Sequence, residues 1–182
     1  WNAAGTDLID PATGKFYPGI VRKYNPENWR DYAFQDSQRN EANLSISGGT
    51  DKSSYFYSIG GLEDVGYGIN SNFKRYNTRL NLDFKPLDWL SFRSDIAYTF
   101  TESNANGQSS DSGSIFWTTA NMPRLYPLFE RDANGDKITD IYGGFKYDYG
   151  DSPSRGFAGL TNSIADAHYN TDVSHSHRIG IN

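Results

Sequence analysis

Residues 73–101 alternate apolar and polar side chains through two long runs joined by a short turn. That pattern leaves few folds open. Tyr76, Thr78, Leu80, Leu82 and Phe84 alternate with Arg75, Asn77, Arg79, Asn81 and Asp83. After Lys85-Pro86-Leu87-Asp88-Trp89 the alternation resumes. Leu90, Phe92, Ser94, Ile96, Tyr98 and Phe100 take turns with Ser91, Arg93, Asp95, Ala97 and Thr99. A period of two marks a sheet with one apolar and one polar face. Strands in soluble proteins are usually about 5–6 residues long, whereas a tilted membrane-spanning strand needs about 9–11. Both runs reach the longer figure. The polar face carries charges, which a packed core rejects and a water-filled barrel lumen accepts. The expected fold is all-β: part of a transmembrane antiparallel β-barrel with long extracellular loops. Arg75, Arg79, Asp83, Arg93 and Asp95 are expected to face its lumen.

The rest of the chain divides around this hairpin. Residues 1–38 are punctuated by Pro11, Gly14, Pro18, Gly19 and Pro26 and read as an extracellular loop region. Residues 39–101 read as four barrel strands. The first puts Ala42, Leu44 and Ile46 on one face. Gly48-Gly49-Thr50-Asp51-Lys52 reads as a tight turn. The second strand puts Tyr55, Tyr57 and Ile59 on one face, with Phe56 as an imperfection on the other. Residues 62–72 form a medium loop, and 102–170 show no sustained period and read as a long extracellular loop. Residues 171–182 begin a further strand, with His175, His177, Ile179 and Ile181 on one face.

Loop lengths thus alternate between short and long. Outer-membrane barrels have short periplasmic turns and long outer loops, so 48–52 and 85–89 are expected in the periplasm. Aromatic residues are plentiful, with 13 Tyr, 11 Phe and 4 Trp. Trp89 and Tyr55 are expected at the inner interface, and Tyr98, Phe100 and Phe73 at the outer one, where amphipathic rings prefer the headgroup level.

Composition closes other routes. No apolar run is long enough for a membrane helix. The mean hydropathy of -0.70 is compatible with a barrel, because only alternate strand residues meet lipid. The chain has no cysteine, so disulfide frameworks and thiolate metal sites are ruled out. A net charge of -5 argues against a general nucleic-acid binder. The sequence opens in loop-like residues and stops inside a strand pattern, so a piece of a longer protein is expected.

An ordered series of segments carries a family likeness. It begins with Asn28-Trp29-Arg30-Asp31-Tyr32-Ala33-Phe34 and Glu41-Ala42-Asn43-Leu44-Ser45-Ile46-Ser47-Gly48-Gly49-Thr50-Asp51-Lys52. Tyr55-Phe56-Tyr57-Ser58-Ile59-Gly60 follows, then Phe73-Lys74-Arg75-Tyr76-Asn77-Thr78-Arg79-Leu80-Asn81-Leu82-Asp83 and Asp88-Trp89-Leu90. Over residues 28–101 this resembles the barrel region of SusC/RagA-type TonB-dependent transporters of Bacteroidetes. A weaker likeness runs through Met122-Pro123-Arg124-Leu125-Tyr126-Pro127-Leu128-Phe129 and the Asp132-Ala133-Asn134-Gly135-Asp136 turn. The family's plug and TonB-contacting segment have no counterpart in these residues. The resemblance implies a plugged barrel of about 22 strands in the outer membrane. It implies a SusD-like lipoprotein lid, contact with TonB through a part not present here, and an oligosaccharide or peptide substrate. It implies no cofactor.

Individual motifs were weighed for chemistry. Asp132-x-Asn134-x-Asp136 resembles the start of a calcium loop, but Lys137 stands at the glycine position and Gly143 at that of the bidentate Glu. His175 and His177 share a strand face without a clear third ligand. Glu63 with Asp64, and Asp111 with Asp95, are carboxylate pairs of the kind glycosidases use, but such pairs arise by accident in a chain with 22 acidic residues. No Ser-His-Asp context, nucleophile elbow or phosphate loop is present, so neither an enzyme nor a metal site is expected. In the long loop, Phe116, Trp117, Arg124 and Tyr126 are the candidate ligand or partner contacts, because exposed aromatic and Arg side chains anchor interfaces. A Gly/Ser/Asn-rich stretch at 103–114 reads as their hinge. The expected function is transport. The alternatives are a passive porin and a soluble secreted all-β glycan-binding module.

Overall fold

The computed structural model of the chain describes residues 8–106, 113–150, 159 and 161–182. Five strands form one antiparallel sheet in sequence order. They are β1 Gln38–Thr50, β2 Ser53–Val65, β3 Asn72–Leu87, β4 Leu90–Ala105 and β5 Asp172–Ile181. Three one- or two-turn helices accompany them: α1 Arg30–Ala33, α2 Ile115–Asn121 and α3 Ser163–Tyr169. The chain is therefore mostly antiparallel β, as the alternation indicates. The sheet is open, with β1 and β5 at its edges.

Strands begin and end outside the bounds the alternation suggests. Gly48, Gly49 and Thr50 belong to β1, so the first turn is only Asp51-Lys52. Gly48 earns its place in the strand because Tyr55, directly opposite, lies across it; a Cβ there would meet the phenol ring within 3.0 Å. The second turn is Asp88-Trp89, and a register shift between Phe84 and Leu87 takes up Lys85 and Pro86. Proline lacks a ladder donor and is tolerated at such irregularities. β4 continues to Ala105, so residues 103–105 of the expected hinge are strand. Residues 107–112 of that stretch, and Asp111 with them, lie outside the described residues.

The chain separates into two compact units: Trp1–Asp31 with Asp111–Ala165, and Tyr32–Ser110 with Asp166–Asn182. The second contains the sheet. Apart from Leu62, the sheet's large apolar side chains are not buried; the remaining large buried apolar side chains lie outside the strands, at Trp29, Ile115, Met122, Leu128, Phe129 and Ile164. None of the described helices is long and apolar enough to cross a membrane, which leaves crossing by strands untouched.

Much of 102–170, which shows no sustained period in the sequence, holds local structure in the first unit. Ser114 caps α2 by accepting from Trp117 N at 3.1 Å. Pro123 follows the helix and forces extended backbone on Met122. Asn162 is buried and accepts from Ala165 N at 3.0 Å, while its amide donates to the Asp148 carbonyl at 2.9 Å. Between these helices three short segments close a ring. Glu130 N donates to Lys146 O (2.8 Å), Lys146 N to Ile138 O (2.9 Å), and Ile138 N to Glu130 O (3.0 Å). The corners are turns headed by Asp132 and Asp140. Each carboxylate accepts from two backbone N–H groups, and Gly135 and Gly143 supply the positive φ that each turn requires.

Candidate functional site

The sheet's two faces differ in chemistry over most of their length. Continuous register from β1 to β5 sorts every strand residue onto one face or the other. On the apolar face Leu44, Ile59, Thr78, Tyr98 and Ile179 form one row across all strands, and Ile46, Tyr57, Leu80, Ile96 and Ile181 the next. These side chains stay open: Leu44 is 66% exposed and Ile179 67%. At the end of the face away from the short turns, one row changes character. Asn40, Glu63, Lys74, Glu102 and His175 stand in register there. Lys74 Nζ lies 3.5 Å from Glu102 Oε1, and His175 Nε2 lies 3.3 Å from Glu102 Oε2. Tyr76, one row in, stacks on Phe100 and donates its hydroxyl to Glu63 at 2.7 Å.

The polar face holds every charged strand residue assigned to the lumen. Arg79 forms a two-armed ion pair with Asp95, and Arg93 Nε lies 3.0 Å from Asp83 Oδ2. Arg75 reaches Glu41 at 3.6 Å, Glu41 also holds Arg39 at 3.2 Å, and Arg39 lies 3.7 Å from Asp64. Arg39, Glu41 and Asp64 are not among the residues expected to face the lumen, although the parity of β1 and β2 puts them on this face. Phe73 is a correction. It was expected with the outer aromatics, but it has the parity of Arg75 and lies on the polar face.

Between the ion pairs the polar face is hollow. The recess measures about 630 Å³ and is walled by Arg75, Arg79 and Arg178. Ala97, Thr99, Thr101 and Ser176 contribute small side chains to its lining. The carboxamides of Asn43 and Asn77 lie over Gly60 so closely that a Cβ there would collide with them.

The loop candidates occupy the other unit. Phe116 and Trp117 lie on α2, Phe116 exposed and Trp117 partly so; Arg124 is exposed, and Tyr126 half-buried. Pro123 O accepts from Tyr126 N at 3.1 Å in a turn, and the Tyr126 carbonyl accepts from Trp29 Nε1 at 3.0 Å. A residue the sequence did not single out organises this unit. Glu27 is nine-tenths buried and binds Arg131 at 2.8 Å and Lys137 at 3.0 Å while accepting from Leu128 N.

The other motifs resolve into local structure. Asp132 is fully used by its own turn, and no group of three His, Cys, Asp or Glu among the described residues is placed to hold a metal. His175 and His177 both lie on the apolar face. His177 Nδ1 is 2.9 Å from the Tyr98 hydroxyl, so the two imidazoles engage different partners. Glu63 and Asp64 are neighbours on β2 and point to opposite faces, so they do not form a pair. No protein-family model and no curated protein matches the chain.

Proposed function

We propose that this chain forms part of the wall of an outer-membrane TonB-dependent transporter of the SusC/RagA type. It would import glycans or peptides beneath a SusD-like lipoprotein lid. The observation that carries this reading is the uncovered apolar face on strands of 10–16 residues. A globular sheet buries its apolar face under a second layer, and in a bilayer lipid takes that role.

The dimensions support it. From Tyr76 to Phe84 the strand runs about 27 Å at about 3.4 Å per residue. A tilt of about 40° reduces this to roughly 21 Å, and Leu87 and Trp89 extend it toward the apolar band of about 25 Å found on such barrels. The charged row at one end and Trp89, 80% exposed, at the other suit the two interfaces. In this reading the ion-paired face lines the lumen. A passive porin would have the same wall without a plug, and a soluble glycan-binding module would leave its apolar face in water.

The test is expression of the full-length protein in a Gram-negative host. An outer-membrane band with heat-dependent gel mobility, and uptake that is lost without TonB, is the expected result. Uptake independent of TonB would favour the porin. A monodisperse, cooperatively melting soluble monomer of residues 1–182 would overturn the barrel altogether.

A further inference from the structure

The polar-face hollow has a composition that ion pairing alone does not require. Its wall carries three guanidinium groups, Arg75, Arg79 and Arg178, and no carboxylate lines it. Asp95 and Glu41 hold Arg79 and Arg75 from outside the recess. Arg178 sits on β5 opposite Thr99, and no ion-pair partner for it is found among the described residues. Neutral polar groups complete the lining: the amides of Asn43 and Asn77 and the hydroxyl of Thr99. Phe73 contributes an aromatic ring at one side. The volume of about 630 Å³ lies within the range of about 300–1,000 Å³ usual for small-molecule sites.

We infer that this hollow binds an acidic sugar unit of a passing oligosaccharide, its carboxylate against Arg178. A guanidinium presents a planar fork of donors that matches a carboxylate. Carboxamides and hydroxyls suit sugar hydroxyls, since each can donate and accept. The open apolar edge of a sugar ring suits the face of Phe73. Gly60 leaves room for the Asn43 and Asn77 carboxamides of the lining, since a Cβ there would collide with both. The inference rests on the transporter reading for the source of the ligand.

The experiment uses the full-length protein purified in detergent, with galacturonate trimer as the probe and maltotriose as its neutral counterpart. Affinity is measured by calorimetry at low and high salt. The trimer should bind at least about tenfold more tightly than maltotriose, with the difference shrinking in salt. Arg178→Gln should weaken the trimer about tenfold, the scale of one lost charged hydrogen bond. Arg178→Lys should recover part of the loss, and maltotriose should not respond. Equal affinities, or a trimer indifferent to Arg178→Gln, overturn the inference. So does absent binding by protein with folded-barrel gel mobility, which is the outcome if an acidic protein segment fills the hollow instead. Protein that never acquires that mobility contradicts the transporter reading itself, so the two failures are distinct.

Discussion

Lys74 and Glu102 stand directly opposite one another on β3 and β4, Nζ to Oε1 3.5 Å apart, on the face that is otherwise apolar. They sit where that face turns polar: their row also holds Asn40, Glu63 and His175, and the next row out holds Gln38, Asn72 and Asn104. Two rows of nothing but apolar and hydroxyl side chains begin four residues further in, at Leu44, and continue at Ile46. The pair therefore marks the end of the apolar band.

The first prediction tests that band. Leu82 lies well inside it, between Tyr55 and Ser94 in register. If the sheet is the barrel wall proposed above, Leu82→Arg should destabilise it in the membrane by about 2–4 kcal/mol, the cost of a cation near the midplane. Lys74→Leu, at the boundary, should change stability by far less. Denaturant unfolding in lipid vesicles measures both, and equal costs at the two positions would remove the boundary.

The second prediction separates strain from collision in the loop unit. Gly135 and Gly143 hold equivalent places in successive turns, at φ of 95° and 85°. Nothing lies within 4 Å of a Cβ at Gly143, whereas one at Gly135 would run into the Lys23 carbonyl. Gly143→Ala should cost about 1 kcal/mol, the left-handed backbone penalty. Gly135→Ala should cost about 2–4 kcal/mol, because backbone must also move. Hydrogen exchange at Glu130, Ile138 and Lys146 reads the ring's opening.

The third concerns acid. The backbone N–H of Asp136 holds the Asp132 carboxyl below the ordinary carboxylate range; partial desolvation opposes this, and the N–H groups of Asn134 and Gly135 add to it. The folded pKa is thus lower than the unfolded one. The turn's stabilisation is complete above the unfolded value of about 4 and is lost as pH falls through the folded value. The Asp132 carboxyl carbon should titrate below a model peptide by NMR, and Asp132→Asn should abolish the acid-induced loosening of residues 131–137.

The fourth addresses the segment around α2. On the transporter reading proposed above, Trp117, Arg124 and Tyr126 replaced together by alanine in the full-length protein should leave surface expression normal and reduce either lid co-purification or uptake. Unchanged co-purification and uptake would reduce the segment to a self-packed loop.

Alternation by itself was enough to place β3 and β4 and to assign Arg79 and Leu80 to opposite faces, because strand geometry is local and has a period of two. The same rule puts Arg39, Glu41 and Arg178 on the polar face, and reading their parity would have found them. It also puts Phe73 there, against the aromatic-girdle expectation, since parity outranks residue type. The loop was harder. The Asp132, Asp140 and Asp148 spacing, with Gly135 and Gly143 three residues after the first two, is visible in the sequence. That the segments close a ring through Glu130, Ile138 and Lys146 is not, because three non-adjacent backbone groups must meet. Likewise, Arg79 is opposite Ala97 in register and reaches Asp95 only diagonally. The lining of the hollow among Arg75, Arg79 and Arg178 comes from β1, β3, β4 and β5, which only register brings together. Local chemistry determined which residues share a face; only strand register and long-range packing decided which of them meet.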